Sequence, residues 1–251
     1  MVRARHGVGV RLDYGRCPLN VLVVDIGGSR VKIFAAASRE TASFKSGPEL
    51  GPEELMRQVR QFTAAWEYDV VSIGYPGGTG PGGATADPGN LGLGWVGYDF
   101  EGAFGRPVRV VNDAAMQALG AYDGGRMLFL GLGTGLGSTL IAERVLIPLE
   151  LGCLLHPSGE TLADHLGKGG LARNGLGAWR EAVSEACDQL RHACAADYVV
   201  LGGGNASLVD PLPQHARRGG NEDAFAGGVR LWEEWVEHHD APPSHIWRVV
   251  W

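Results

Sequence analysis

The sequence predicts an α/β fold of two lobes with a cleft between them, and three observations predict it. Residues 21–33 read Val-Leu-Val-Val-Asp-Ile-Gly-Gly-Ser-Arg-Val-Lys-Ile, a strand that enters a glycine turn and leaves as a second strand. Residues 128–140 repeat that logic as Leu-Phe-Leu-Gly-Leu-Gly-Thr-Gly-Leu-Gly-Ser-Thr-Leu. A third apolar run, Val199-Val200-Leu201, enters Gly202-Gly203-Gly204-Asn205. Two such hairpins, each opening a half of the chain, suit a duplicated architecture.

The elements follow in order. Residues 1–18 are polar, arginine-containing and aperiodic and read as a flexible leader. A first lobe spans 19–112. Its hairpin (21–24 with 31–35) is extended by a strand near 41–45. Residues 52–66 carry Leu55, Val59 and Phe62 at helical spacing behind Glu53 and Glu54, so a helix is expected there. A strand at 69–73 leads into a Gly/Pro-rich loop over 74–94, long enough to be functional or mobile. A strand at 108–111 ends at Asn112-Asp113, and 114–121 reads as a helix.

The second lobe spans 113–238. It is expected to hold a hairpin (127–132 with 138–143), an irregular stretch at 150–156, helices at 162–166 and 179–195, and a strand at 198–201. A last helix over 221–237 carries Phe225, Val229, Leu231, Trp232 and Val236, and is expected to pack back on the first lobe. Residues 239–251 form a tail.

The glycine turns point to an anion. Alternate glycines leave backbone N–H groups bare to a phosphate, and Ser29, Thr134 and Ser138 add hydroxyls. A tight hairpin packed with small residues explains each turn alone equally well. Three in one chain suggest one polyanion or nucleotide held from several sides. Asp113 opens a helix after a strand, where α/β sheets usually bind ligands, and Asn-Asp before an alanine-rich helix is also good capping chemistry.

Together, Asp25-Ile26-Gly27-Gly28-Ser29 with Lys32, Val111-Asn112-Asp113-Ala114, Leu132-Gly133-Thr134-Gly135-Leu136-Gly137-Ser138, Glu150-Leu151-Gly152 and Gly202-Gly203-Gly204-Asn205 form an ordered set. The set resembles the ROK family of sugar kinases, nearest its short polyphosphate-glucokinase-like members. That resemblance implies a two-lobed actin-like ATPase fold, a duplicated ribonuclease H-like α/β architecture with a central cleft. It implies Mg²⁺-assisted phosphoryl transfer from ATP or polyphosphate to the primary hydroxyl of glucose or a related hexose. By the same resemblance Asp113 is the general base, and Asn90, Asn112 and Glu150 bind the sugar. Gly27, Gly28, Ser29, Lys32, Gly133, Thr134 and Gly135 cradle the donor phosphates, Gly203 and Gly204 sit against adenosine, and Asp25 holds Mg²⁺ through water. A homodimer is compatible with it. One position departs: Cys153 stands where the family has a sugar-contacting histidine, and a thiol donates hydrogen bonds poorly. His156 is the candidate to compensate. Another hexose, a cyclitol, or a catalytically silent sugar sensor stays open; a structural ATPase like actin fits the Asn-Asp and Glu-Leu-Gly motifs least.

Composition removes other classes. The net charge of −6 argues against nucleic-acid and anionic-membrane partners, and because lysine is scarce (Lys32, Lys45, Lys168) a basic track for polyphosphate would have to come from arginines. No apolar run approaches a membrane span and no signal peptide is evident, so a cytoplasmic protein is expected. Cys17, Cys153, Cys187 and Cys194 form neither a disulfide framework nor the family's cysteine-rich motif, and no structural zinc is expected.

Overall fold

The computed structural model describes residues 19–220, 222–235, 244–245 and 247–251. The leader, and parts of the expected last helix and tail, lie outside the described residues.

Two mixed sheets carry the fold. In the first, β1 (Val21–Ile26), β2 (Arg30–Ala35) and β3 (Thr41–Lys45) form an antiparallel meander. Helix α1 (Pro52–Thr63) then leads to β4 (Val70–Tyr75). The small hairpin β5 (Thr79–Gly80) and β6 (Gly83–Ala84) and helix α2 (Phe100–Phe104) lead to β7 (Val108–Asn112). The sheet order is β3-β2-β1-β4-β7, with β4 and β7 parallel to β1.

Helix α3 (Asp113–Ala121) crosses to the second sheet. There β8 (Met127–Leu132), β9 (Leu136–Ala142) and β10 (Val145–Leu149) form the meander. Helices α4 (Leu162–Leu166) and α5 (Lys168–Ala193) precede β11 (Tyr198–Gly202), β12 (Ala216–Arg218) and α6 (Asp223–Arg230). Two short strands, β13 (Glu234–Trp235) and β14 (Ser244–His245), pair with each other, and β15 (Arg248–Val249) adds to β10. The order β10-β9-β8-β11-β12 repeats that of the first sheet, with β15 at the edge.

Strand periodicity divides the apolar residues among three cores. Leu22, Val24 and Ile26 face outward to α1 (Leu55, Met56, Val59). Leu128, Leu130 and Leu132 face the other way, toward Trp179, Val183 and Leu190 of α5. The alternate residues, Val21 and Val23 of β1 and Met127 and Phe129 of β8, share a central core with α3 and α6. These two helices cross in backbone contact. A Cβ on Gly120 would lie 1.8 Å from the Asp223 carbonyl oxygen, and one on Gly227 1.8 Å from that of Met116. The next residue, Gly228, lies so close to β1 that a Cβ would meet Val23 Cγ1 at 2.5 Å. Ser72 of β4 donates to the Gly228 carbonyl at 2.6 Å and accepts from Trp232 Nε1 at 2.9 Å.

Three expectations need correction. The last helix ends at Arg230, where Trp232 turns toward Ser72 instead of continuing the helical stripe. Helix α5 begins at Lys168, eleven residues before Trp179, with a break in its backbone at Gly175 (φ 74°). Strands β10 and β12 fall where no strand was expected. The loop after β4, read as functional or mobile, is held in place: Tyr75 Oη donates to the Ala86 carbonyl at 2.8 Å, and Asp87 Oδ1 accepts from the Trp95 N–H at 2.8 Å.

Candidate active site

A cleft of about 620 Å³ lies between the sheets, and the carboxyl ends of their strands supply its walls. Gly27, Gly28 and Ser29 come from the β1–β2 turn, and Gly133, Thr134 and Gly135 from the β8–β9 turn. Asn90, Asn112, Asp113, Gln117, Glu150, Lys168 and Gly203–Asn205 add to its lining. The turns converge tightly, since a Cβ on Gly28 would lie 2.5 Å from Asn90 Nδ2 and 3.9 Å from Thr134 Oγ1. A recess of about 190 Å³ opens from the same place and contains Asp25, Arg30 and Lys32.

Asp25 stands in this recess because it shares the inward parity of Val21 and Val23 at the end of β1. Its side chain is buried, and Lys32, its register partner on β2, approaches Oδ2 at 3.7 Å. Burial raises its pKa and Lys32 opposes that shift. Oδ1 is buried without a hydrogen-bond partner. A carboxylate lining a recess that opens from the glycine turns suits a hard divalent cation or its water.

Asn112 and Asp113 divide the two roles their sequence allows. Asn112 is the cap: its Oδ1 accepts from the N–H groups of Ala114 (3.0 Å) and Ala115 (3.2 Å), and its Nδ2 donates to the Gly77 carbonyl at 3.1 Å. One amide N–H is left for the cleft. Asp113 is thereby freed from capping, and its Oδ1 accepts from the Ala114 N–H at 2.8 Å. Its pKa is raised to about 7, first by burial, then by the Asp25 charge, with Glu150 adding to it. A carboxylate that titrates near neutrality is suited to general-base work.

Glu150 is exposed at the cleft, and Ser138 fixes the backbone on either side of it. Ser138 Oγ donates to the Leu149 carbonyl at 2.8 Å and accepts from the Leu151 N–H at 3.1 Å. Ser138 is therefore a buried brace and not a hydroxyl donor of the glycine turn. His156 lies outside the cleft lining. Its ring stacks on His165 (3.8 Å between centroids, 13° between planes), and its Nδ1 is 2.8 Å from Ser158 Oγ. His165 Nδ1 in turn is 2.6 Å from Glu160 Oε1. His156, Glu160 and His165 bring one ligand atom each within 4.8 Å of one another, with the two rings stacked. Cys153 is exposed and likewise does not line the cleft.

Sequence reasoning passed over Gln117, Lys168 and Asn205 as site residues. Lys168 opens α5 at the cleft, and its N–H bonds the Gly133 carbonyl at 2.9 Å. Asn205 Nδ2 donates to the same carbonyl at 3.4 Å. Gln117 was legible as the residue one turn after Asp113, on the same helical face.

Two sheets of matching order, joined by crossing helices around a cleft, define the two-lobed actin-like ATPase fold. The chain has that fold in the form found in ROK-family sugar kinases. The inorganic polyphosphate/ATP-glucomannokinase from Arthrobacter sp. strain KM superposes with a TM-score of 0.72 at 22% identity, over 85% of this chain and 98% of that one. A ROK family glucokinase from Streptomyces griseus, in complex with glucose and AMPPNP, gives 0.63 at 17% identity over 85% and 98%. A ROK family protein from Streptococcus pneumoniae TIGR4, in complex with sucrose, gives 0.65 at 15% over 85% and 97%. No protein-family model and no curated protein matches the sequence. Among the described residues no helix is long and apolar enough to cross a membrane.

Proposed function

We propose that this chain is a carbohydrate kinase that transfers a phosphoryl group from ATP or polyphosphate to the primary hydroxyl of glucose or a related hexose. The observation that carries the reading is the placement of Asp113. It lines one cleft together with Asn90, Asn112, Glu150 and the two glycine turns. The sugar hydroxyl gives its proton to Asp113 as the oxygen–phosphorus bond forms. The bond from phosphorus to the donor's bridging oxygen breaks, and its electron pair leaves with the donor. The N–H groups of Gly28, Ser29, Thr134 and Gly135 would hold the charge that develops on the phosphoryl oxygens, those of Gly27 and Gly133 being bonded within their own turns. Asp25 would hold Mg²⁺, which neutralises donor phosphates when bound. Gly203 and Gly204 would face the adenosine when the donor is ATP.

A coupled phosphorylation assay tests this, with hexoses and cyclitols against ATP and polyphosphate in the presence of Mg²⁺. Turnover with one pair supports the reading and fixes donor and acceptor. One observation favours a second reading, a silent sugar sensor: neither Cys153 nor His156 lines the cleft to replace the family histidine. That reading requires calorimetric sugar binding with no turnover across the panel.

A further inference from the structure

The cleft and the recess beside it share four lining residues: Gly27, Gln117, Gly203 and Gly204. Three are glycines, so Gln117 supplies the one side chain at the junction. On one side of it stand Asp113, Glu150 and Asn112; on the other stand Asp25, Arg30 and Lys32. Gln117 follows Asp113 by one helical turn, so both side chains project from the same face of α3. It is half-buried, and its amide has no hydrogen-bond partner among the described residues. Its amide is therefore open to both cavities and available to a ligand that spans them.

We infer that Gln117 is a specificity and transition-state residue whose amide N–H donates to an oxygen of the phosphoryl group in flight between donor and acceptor. The inference rests on reading the cleft as a phosphoryl-transfer site. Physical chemistry favours an amide at this place. Asp25, Asp113 and Glu150 already repel incoming phosphate, and another carboxylate would add to that repulsion, whereas a neutral donor meets the negative charge at no such cost.

The experiment compares Gln117→Ala, Gln117→Leu and Asp113→Asn with the parent protein. In the two Gln117 variants kcat is expected to fall about 10²-fold, the scale of losing one positioned donor to developing charge, while the sugar KM stays within about twofold. Alanine and leucine are strong helix formers, and an unchanged melting temperature would show that α3 is intact. A readout independent of turnover is the binding of ADP with aluminium fluoride, a mimic of the transferring phosphoryl group, in the presence of Mg²⁺ and sugar. Gln117→Leu is expected to weaken that complex about tenfold and leave ADP alone unaffected. Unchanged kcat in both Gln117 variants, or unchanged aluminium fluoride binding if the parent protein does not turn over, overturns the inference. An Asp113→Asn variant with normal turnover would instead overturn the assignment of the base.

Discussion

Asp113 illustrates how a functional group is set against stability. Its folded-state pKa of about 7 lies above the ordinary 3.8, so the folded protein keeps its proton longer than the unfolded chain does. Stability contributed by this group is present at low pH and is lost as pH rises through about 7. Asp113→Asn should therefore raise the melting temperature at pH 8 by a few degrees, measured by calorimetry, while lowering kcat by about 10²–10⁴-fold. The same titration predicts that kcat/KM of the parent protein falls about tenfold per unit below pH about 7. Ser138 makes a different prediction. Ser138→Ala removes the bonds to Leu149 and Leu151, so it should raise the sugar KM more than it lowers kcat, with a stability loss of about 1–3 kcal/mol. At this scale the sequence was informative where a residue's chemistry is local, as in the Asn112 cap that frees Asp113. It was silent where a role depends on distant partners. Nothing in the spacing of His156 tells that its ring would stack on His165, nine residues away, instead of turning to the sugar.

Among the elements, the β1–β2 and β8–β9 hairpins were legible because continuous apolar runs end in glycine turns. Strand β12 has only three residues, Ala216–Arg218, and takes its place by pairing with β11, which no local pattern announces. Glycines at 169, 170, 175 and 177 hid the first turns of α5, since their low propensity argues against a helix that tertiary packing nonetheless forms. The end of α6 was misplaced because its apolar stripe runs on past Arg230, where the Arg109 guanidinium over the Trp232 ring and the Ser72 bond take over. The crossing of α3 and α6 gives the sharpest prediction at this scale. Gly227→Ala and Gly120→Ala each place a methyl into opposing backbone, which cannot yield as a side chain can. Each should destabilise the protein by about 1–3 kcal/mol or more in urea unfolding. Gly133→Ala, whose Cβ would meet nothing within 4 Å, should not change stability beyond about 0.5 kcal/mol.

At the scale of the whole molecule, the repeated strand order was anticipated by the two similar hairpins, but the way the halves join was not. Helix α3 follows the last strand of the first sheet and packs on the second, while α6 follows the last strand of the second sheet and packs on β1 of the first. Each half thus wears a helix made by the other. A break at Gly124-Gly125, where both residues have positive φ (93° and 67°), would separate the two sheets without cutting an element. Made alone, the first fragment would leave Val21, Val23 and Phe34 without α6 above them, and the second would leave Ile141 and Leu146 without α3. Neither piece is expected to reach a cooperative fold by itself. Mixed during refolding, they should rescue one another, with circular dichroism and thermal melting reporting recovery only when both are present. The exchanged helices therefore make the two halves of this gene product mutual chaperones, and an ancestor with a single half would have had to work as a pair.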